Sequence, residues 1–184
     1  MIRETEKEYK FLLSKEKFAE VLAKCSNKYS LLERKIQINY YYDTLDNKLN
    51  DCKTTVRIRK NNNEMKLQVK KHIAQQSFRI DSDEYSYNII ELPQTVKTPY
   101  FQEELFLKGE LITDRIIFKC ANNSVICLDK NTYLESVDYE VEIEFSEDEE
   151  ICILKDIKYL CLGEMSSESK SSRFFKRLKQ QKGF

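Results

Sequence analysis

The residues able to do chemistry in this 184-residue chain are nearly all charged, and they recur at every second position. Glu4, Glu6, Glu8 and Lys10 alternate near the start. Arg57 and Arg59 oppose Val56 and Ile58, and Lys66, Gln68 and Lys70 oppose Met65, Leu67 and Val69. Arg79, then Arg115 with Lys119, add further cations, and Asp138, Glu140, Glu142 and Glu144 alternate with Tyr139, Val141, Ile143 and Phe145. Successive side chains of a strand point to opposite faces, so each charged set shares one face. Cations hold the middle of the chain and carboxylates its two ends.

Four carboxylates on one strand face repel one another unless cations lie across from them. The opposite faces are apolar and must pack, so the charged faces are expected to meet inside a barrel. A charge buried there is tolerated only when paired, hydrogen-bonded or bound to an ion. A lining rich in Lys and Arg matches phosphate oxygens. Glutamates at one end of it match a hard divalent cation, Mg²⁺ or Mn²⁺. Together they describe a site for a short, metal-bound polyphosphate.

Composition removes other classes. Lys+Arg is 31 and Asp+Glu is 31, so a uniformly basic nucleic-acid sleeve is excluded. The three glycines, Gly109, Gly163 and Gly183, exclude the P-loop and the dinucleotide fingerprint. The single histidine, His72, excludes an HExxH metalloprotease and is expected to be exposed at a strand end. Six cysteines without a CxxC pair read as reduced, partly buried small hydrophobes of a cytoplasmic protein. Apolar runs stop at four residues, as in Ile151–Leu154, far below the ~20 that span a bilayer, and the first residues lack the apolar core of a signal peptide. The length predicts one domain over 1–184, at ~150 residues per domain.

Alternation predicts strands over 2–12, 35–43, 54–60, 64–71, 77–86, 111–120, 124–130 and 137–145. Asn61–Asn63 and Asn122–Asn123 read as hairpin turns. Ser14 predicts a helix start ahead of Phe18, Val21, Leu22 and Cys25. Thr98–Pro99 predicts a short helix carrying Phe101 and Leu105 and closed by Gly109. Ser146 with Glu149 predicts a capped helix carrying Ile151, Leu154 and Ile157, and a basic helix is expected from Arg173 to about Gln180. The sum is a mainly β chain with flanking helices. Its antiparallel sheet of about eight strands would close into a barrel with a charged interior and helices over the apolar outside.

The same residues resemble the CYTH domain, the triphosphate tunnel metalloenzymes. Glu6-Lys7-Glu8-Tyr9-Lys10 is similar to the family's ExExK motif, and Gln37–Thr44 to its QxNxYFDT segment. Val56–Arg59 resembles its LRIR and Leu67–Lys70 its TLK strand, with Gln68 in place of the common Thr. Asp129 followed by Asp138–Glu144 resembles LD…DYELEIE, and Ser169–Phe174 resembles the closing SKxxRF. The matches run in the family's order over nearly the whole chain, with segment 72–98 aligning least well.

The resemblance implies an eight-stranded antiparallel tunnel that hydrolyses triphosphates with Mg²⁺ or Mn²⁺, and the reading of the charges agrees. Glu6, Glu8, Glu140, Glu142 and Glu144 are the expected metal ligands. Lys10, Arg57, Arg59, Lys66, Lys70, Arg79, Arg115 and Lys170 would grip phosphate oxygens. Arg173 either touches substrate or pairs with a tunnel glutamate. Glu6, Glu8, Lys10 and Glu142 form the expected catalytic set. Either Asp81 or Glu84 accompanies Arg79, and Asp129 belongs either to the metal end or to a turn.

The leading expectation is hydrolysis of inorganic tripolyphosphate, with a small-molecule triphosphate as the partner. Nucleic acid enters only as a 5′-triphosphate end. Relatives on this tunnel also hydrolyse thiamine triphosphate or cyclise ATP, as class IV-type adenylate cyclases do. A polyphosphate-binding module would keep the cations without needing the metal.

Overall fold

In the computed structural model the described residues are 2–76, 79–120, 124–145, 150–164, 166 and 168–181, with the side chains of 2–6, 72–83, 150 and 151 outside the description. Among the described residues nine strands and four helices follow one another. They are β1 (Ile2–Leu13), α1 (Lys15–Lys28), β2 (Ser30–Asp43), α2 (Lys48–Asp51), β3 (Thr54–Asn61), β4 (Glu64–Gln76) and β5 (Arg79–Ile89). After these come β6 (Thr95–Thr98), β7 (Phe101–Lys119), β8 (Val125–Tyr133), β9 (Ser136–Glu144), α3 (Glu150–Leu160) and α4 (Lys170–Gln181).

All nine strands form one antiparallel sheet in the order β2-β3-β4-β5-β1-β9-β8-β7-β6. The pairing of β2 with β7, from Ser30↔Lys119 to Asp43↔Phe106, joins the two sides of that order into a ring, with β6 left as an appendage on β7. β1 serves two neighbours in turn. Its first half pairs with β5, its second half with β9, and Glu8 sits at the changeover, opposite both Ile80 and Glu144.

The outer faces carry the apolar side chains, as the alternation requires. Tyr9, Phe11, Ile126, Leu128, Val141 and Ile143 pack with Val21 and Cys25 of α1 and with Ile153, Ile157 and Leu160 of α3. Ser14 caps α1 by accepting a hydrogen bond from the Lys17 N–H at 3.1 Å. A second cluster joins Tyr42, Val56, Ile58, Leu67 and Val69 to Val96 and Leu105. Burying one such side chain contributes ~1.5–3 kcal/mol. Asp43 secures the turn into α2, its carboxylate accepting from the N–H groups of Thr44 at 2.7 Å and of Leu49 and Asn50 at 3.0 Å.

Two expectations are corrected. The helix predicted across Pro99–Gly109 is the start of strand β7, which hydrogen-bonds to β6 and to the end of β2. Phe101 and Leu105 lie four apart, a spacing that suits a helix face and equally one face of a strand. Pairing partners on both sides decide for the strand. Gly109, with φ of 144°, sits at the bulge where the register shifts between Tyr41 and Tyr42.

The second correction concerns α4, which does not lie on the outside. Phe174, Phe175 and Leu178 pack on Tyr41, Leu111 and Tyr133, whose side chains point into the barrel. A Cβ at position 109 would meet Phe174 Cζ at 3.0 Å, so glycine admits that ring. Helix α4 also starts earlier than predicted, at Lys170, where the Ser169 hydroxyl accepts from the Ser172 N–H at 3.1 Å. The Asn61–Asn63 turn is present, with Asn62 at φ 52°, whereas Asn122–Asn123 and Ser146–Glu149 lie outside the described residues.

Candidate active site

A charged cavity opens inside the barrel. It is lined by Glu8 and Lys10 of β1, Tyr41 of β2, Thr55, Arg57 and Arg59 of β3 and Lys70 of β4. Arg115 of β7, Glu142 and Glu144 of β9 and the α4 start, Ser169–Ser171, complete the lining. Alternation alone puts the strand residues on one face, and closure turns those faces toward one another.

On the β3–β4 side, cations meet amides as well as carboxylates. Arg57 donates through Nε to Gln68 Oε1 at 2.8 Å and pairs through Nη2 with Glu84 Oε2 at 3.1 Å, while Gln68 also bonds Glu84. Arg59 donates to Asn39 Oδ1 at 3.0 Å, which gives the Asn of the Gln37–Thr44 segment its role. Lys70 Nζ stands 4.0 Å from Glu8 Oε1.

On the β8–β9 side, charges crowd. Lys10 Nζ lies 3.2 Å from both Glu8 and Glu142. Arg115 grips Asp129 with two bonds of 2.8 and 2.6 Å, touches Glu142, and reaches Glu144 at 3.4 Å. Lys170 Nζ sits among Asp129 at 2.8 Å, Glu142 at 2.9 Å and Glu140. Arg173 holds Asp138 and Glu140, each at 2.8 Å.

The protonation states follow from this crowding. Burial opposes the charge on Glu142, yet Lys170, Lys10 and Arg115 hold its carboxyl well below the usual range. Burial likewise opposes ionised Asp129, and Arg115 with Lys170 outweighs it, lowering that carboxyl. Lys10 and Lys170 lose hydration on burial, but the surrounding carboxylates keep both ammonium groups protonated beyond the usual lysine range. Desolvation pushes the enclosed Cys127 thiol well above its ordinary value, which leaves it an unreactive neighbour of Glu144.

Among the expected site residues, the cavity brings together Glu8, Lys10, Arg57, Arg59, Lys70, Arg115, Glu142, Glu144 and Lys170. Lys66 shares the inner register with Arg59 but is not part of the lining, and Arg173 and Glu140 lie behind it, paired with each other. The side chains of Glu6, Arg79, Asp81 and His72 lie outside the described residues. Asp129 is fully buried in the ion-pair network, and Glu84 serves Arg57. Sequence reasoning missed Thr55, Ser169 and Ser171. Thr55 lies two residues before Arg57 on the same alternating face, and the serines flank Lys170, so both signals were present.

Among the described residues, two carboxylate groups have ligand-capable oxygens within 4.8 Å of one another, Glu8–Glu142–Glu144 and Asp129–Glu140–Glu142. Glu8 and Glu144 are direct cross-strand partners, an arrangement of like charges that a bound cation relieves. The oxygen-only donors of the first group suit Mg²⁺ or Mn²⁺.

Comparison with known proteins agrees with this geometry. A candidate adenylate cyclase from Bacillus halodurans superposes with a TM-score of 0.75 at 23% identity, covering 95% of this chain and all of the other, 100%. A Hippeastrum protein, described as a candidate adenylyl cyclase with a dominant triphosphatase activity, gives 0.72 at 20% identity, covering 93% of this chain and 95% of its own. The Mimivirus capping-enzyme triphosphatase gives 0.58 at 12% identity over 85% of this chain and 89% of its own. These likenesses are of fold. A search of curated protein sequences found no match. No helix among the described residues is long and apolar enough to cross a membrane. The family model for the CYTH domain matches residues 4–175, and with the barrel and its charged interior in place the chain belongs to the CYTH family.

Proposed function

We propose that this chain is a divalent-metal-dependent triphosphatase that releases the terminal phosphate of inorganic tripolyphosphate. The observation that carries the reading is a single cavity where Lys10, Arg57, Arg59, Lys70, Arg115 and Lys170 face the carboxylates of Glu8, Glu142 and Glu144. Guanidinium groups on β3 and β7 bind equatorial phosphate oxygens in forked geometry, while the lysines supply point charges. Glu8, Glu142 and Glu144 would hold a divalent ion, which would supply charge neutralisation and help orient the attacking water.

Phosphoryl transfer needs positioning and charge stabilisation more than covalent chemistry from the protein. Water attacks the terminal phosphorus in line, the bridging P–O bond breaks, and pyrophosphate leaves with its new charge against Lys10 and Arg57. Glu8 and Glu142 hold the Lys10 ammonium above the usual lysine range against the cost of its burial, which suits it to the part of a fixed electrostatic partner.

An inorganic chain is favoured over a nucleotide or thiamine triphosphate by the lining itself. Among the described residues Tyr41 is the one aromatic of the lining, is 1% exposed, and packs on Phe174 and Phe175, so its ring offers no open face for a base or thiazolium. The test is phosphate release from tripolyphosphate, thiamine triphosphate, ATP and polyphosphate, with Mg²⁺ or Mn²⁺ and with chelator. Tripolyphosphate should turn over fastest and chelator should abolish the reaction. Pyrophosphate release from ATP with a cyclic product would instead make the chain a cyclase, and undiminished turnover after metal removal would overturn the metal's part.

A further inference from the structure

The two carboxylate groups differ in what already fills them. At the inner group, the Lys170 ammonium lies centrally, in contact with Asp129 at 2.8 Å, Glu142 at 2.9 Å and Glu140. Asp129 and Glu140 are both 0% exposed, which leaves a hydrated ion no approach. Arg115 also contacts this group at Asp129 and Glu142, and Arg173, which holds Asp138 as well, contacts it at Glu140. At the outer group, Lys10 approaches Glu8 and Glu142 only to 3.2 Å, and the Glu144 side chain stays 40% exposed. That group has an open side.

We infer that Lys170 is a resident cation occupying the inner carboxylate group, so that this chain takes one divalent ion, at Glu8, Glu142 and Glu144, and none at Asp129 and Glu140. The inference rests on the proposed metal dependence but concerns stoichiometry, and it reassigns Glu140 from metal ligand to partner of Lys170 and Arg173. Helix α4 delivers this cation. Ser169 caps its first turn, and Phe174 anchors the following turn inside the barrel, so the ammonium is positioned by the helix's packing. A divalent ion entering the inner group would have to expel Lys170 and lift the start of α4 with it.

Titration with Mn²⁺ alone, followed by electron paramagnetic resonance of the free ion, reads the stoichiometry independently of any turnover. The wild-type protein should bind one Mn²⁺ per chain and Lys170→Met two, with Lys170→Arg returning to one. Two ions on the wild-type protein, or none, would overturn the inference, as would a folded Lys170→Met that binds one. If circular dichroism shows Lys170→Met unfolded, Glu140→Gln decides. Affinity for the single ion within about threefold of wild type supports the inference, and loss of a bound ion overturns it. Phosphate release is measured separately on the wild-type protein. Two bound ions with metal-dependent turnover would sink this inference alone, whereas one bound ion without turnover would sink only the proposed activity.

Discussion

The two walls of the cavity solve the problem of buried charge differently. On the β3–β4 wall, Arg57 meets one carboxylate, Glu84, and the amide of Gln68, and Arg59 is oriented by the amide of Asn39. On the β8–β9 wall, Arg115 contacts three carboxylates and Lys170 three. An amide orients a guanidinium without neutralising it, so Gln68 and Asn39 aim Arg57 and Arg59 at an incoming anion. The second wall satisfies its charges internally and thereby ties β7, β8, β9 and α4 together. Cations of the same type thus differ between the walls in how many carboxylates they meet.

The comparison can be broken by removing one partner on the dense wall. Asp129→Asn takes from Arg115 its bidentate acceptor and from Lys170 one of three carboxylates, and leaves both buried. Breaking a buried pair costs about 3–5 kcal/mol, which urea unfolding should read. A loss below about 1 kcal/mol would erase the distinction between the walls.

Acid should reach the same wall. The folded Asp129, Glu142 and Asp138 carboxyls lie below their usual values, so their stabilisation is complete above the unfolded values near ~4 and is lost as pH falls through the depressed folded ones. Lys10 and Lys170 are raised, so their share is complete below ~10.5 and is lost only as pH climbs through the raised folded values. Melting temperature should therefore be flat between about pH 5 and 10 with respect to these groups, and should drop steeply below about pH 4. A plateau continuing unchanged to pH 2 would contradict the assignment of charged pairs to this wall.

The sparse wall should respond in rate. Arg57→Ala and Lys70→Ala should each lower kcat/KM for tripolyphosphate by more than about tenfold, since a desolvated charge-assisted contact is worth ~1.5–3 kcal/mol. Two mutants with wild-type kinetics would mean that this wall does not bind substrate. The smallest effect belongs outside the barrel. Arg34 and Asp114 form a bidentate pair at 3.0 and 2.7 Å, with the Arg34 side chain 65% exposed. Arg34→Ala should change stability by less than about 1 kcal/mol and leave turnover unchanged.

Much of this was legible from residue order because side-chain direction in a strand is local. Glu8 with Lys10, Arg57 with Arg59, and Glu142 with Glu144 each share a face whatever the strand's neighbours are. The apolar residues between them say equally locally that the other face is packed. The Pro99–Gly109 segment shows where local reasoning fails. Its apolar spacing fits either period, and pairing with β2 and β6 settled it.

What only the tertiary structure decided is which charge meets which. Lys170 reaches Glu142 across 28 residues of chain and Arg173 reaches Glu140 across 33, by way of a helix whose aromatic residues needed the space over Gly109. Alternation fixes a side chain's face but carries no information about the residue opposite, which depends on strand order, register and closure. The sequence by itself therefore determined that a cationic and an anionic face exist. The closing of β2 onto β7, and the entry of α4 into the barrel, decided which carboxylates each cation of the cavity meets, because ion pairing is a matter of distance in space.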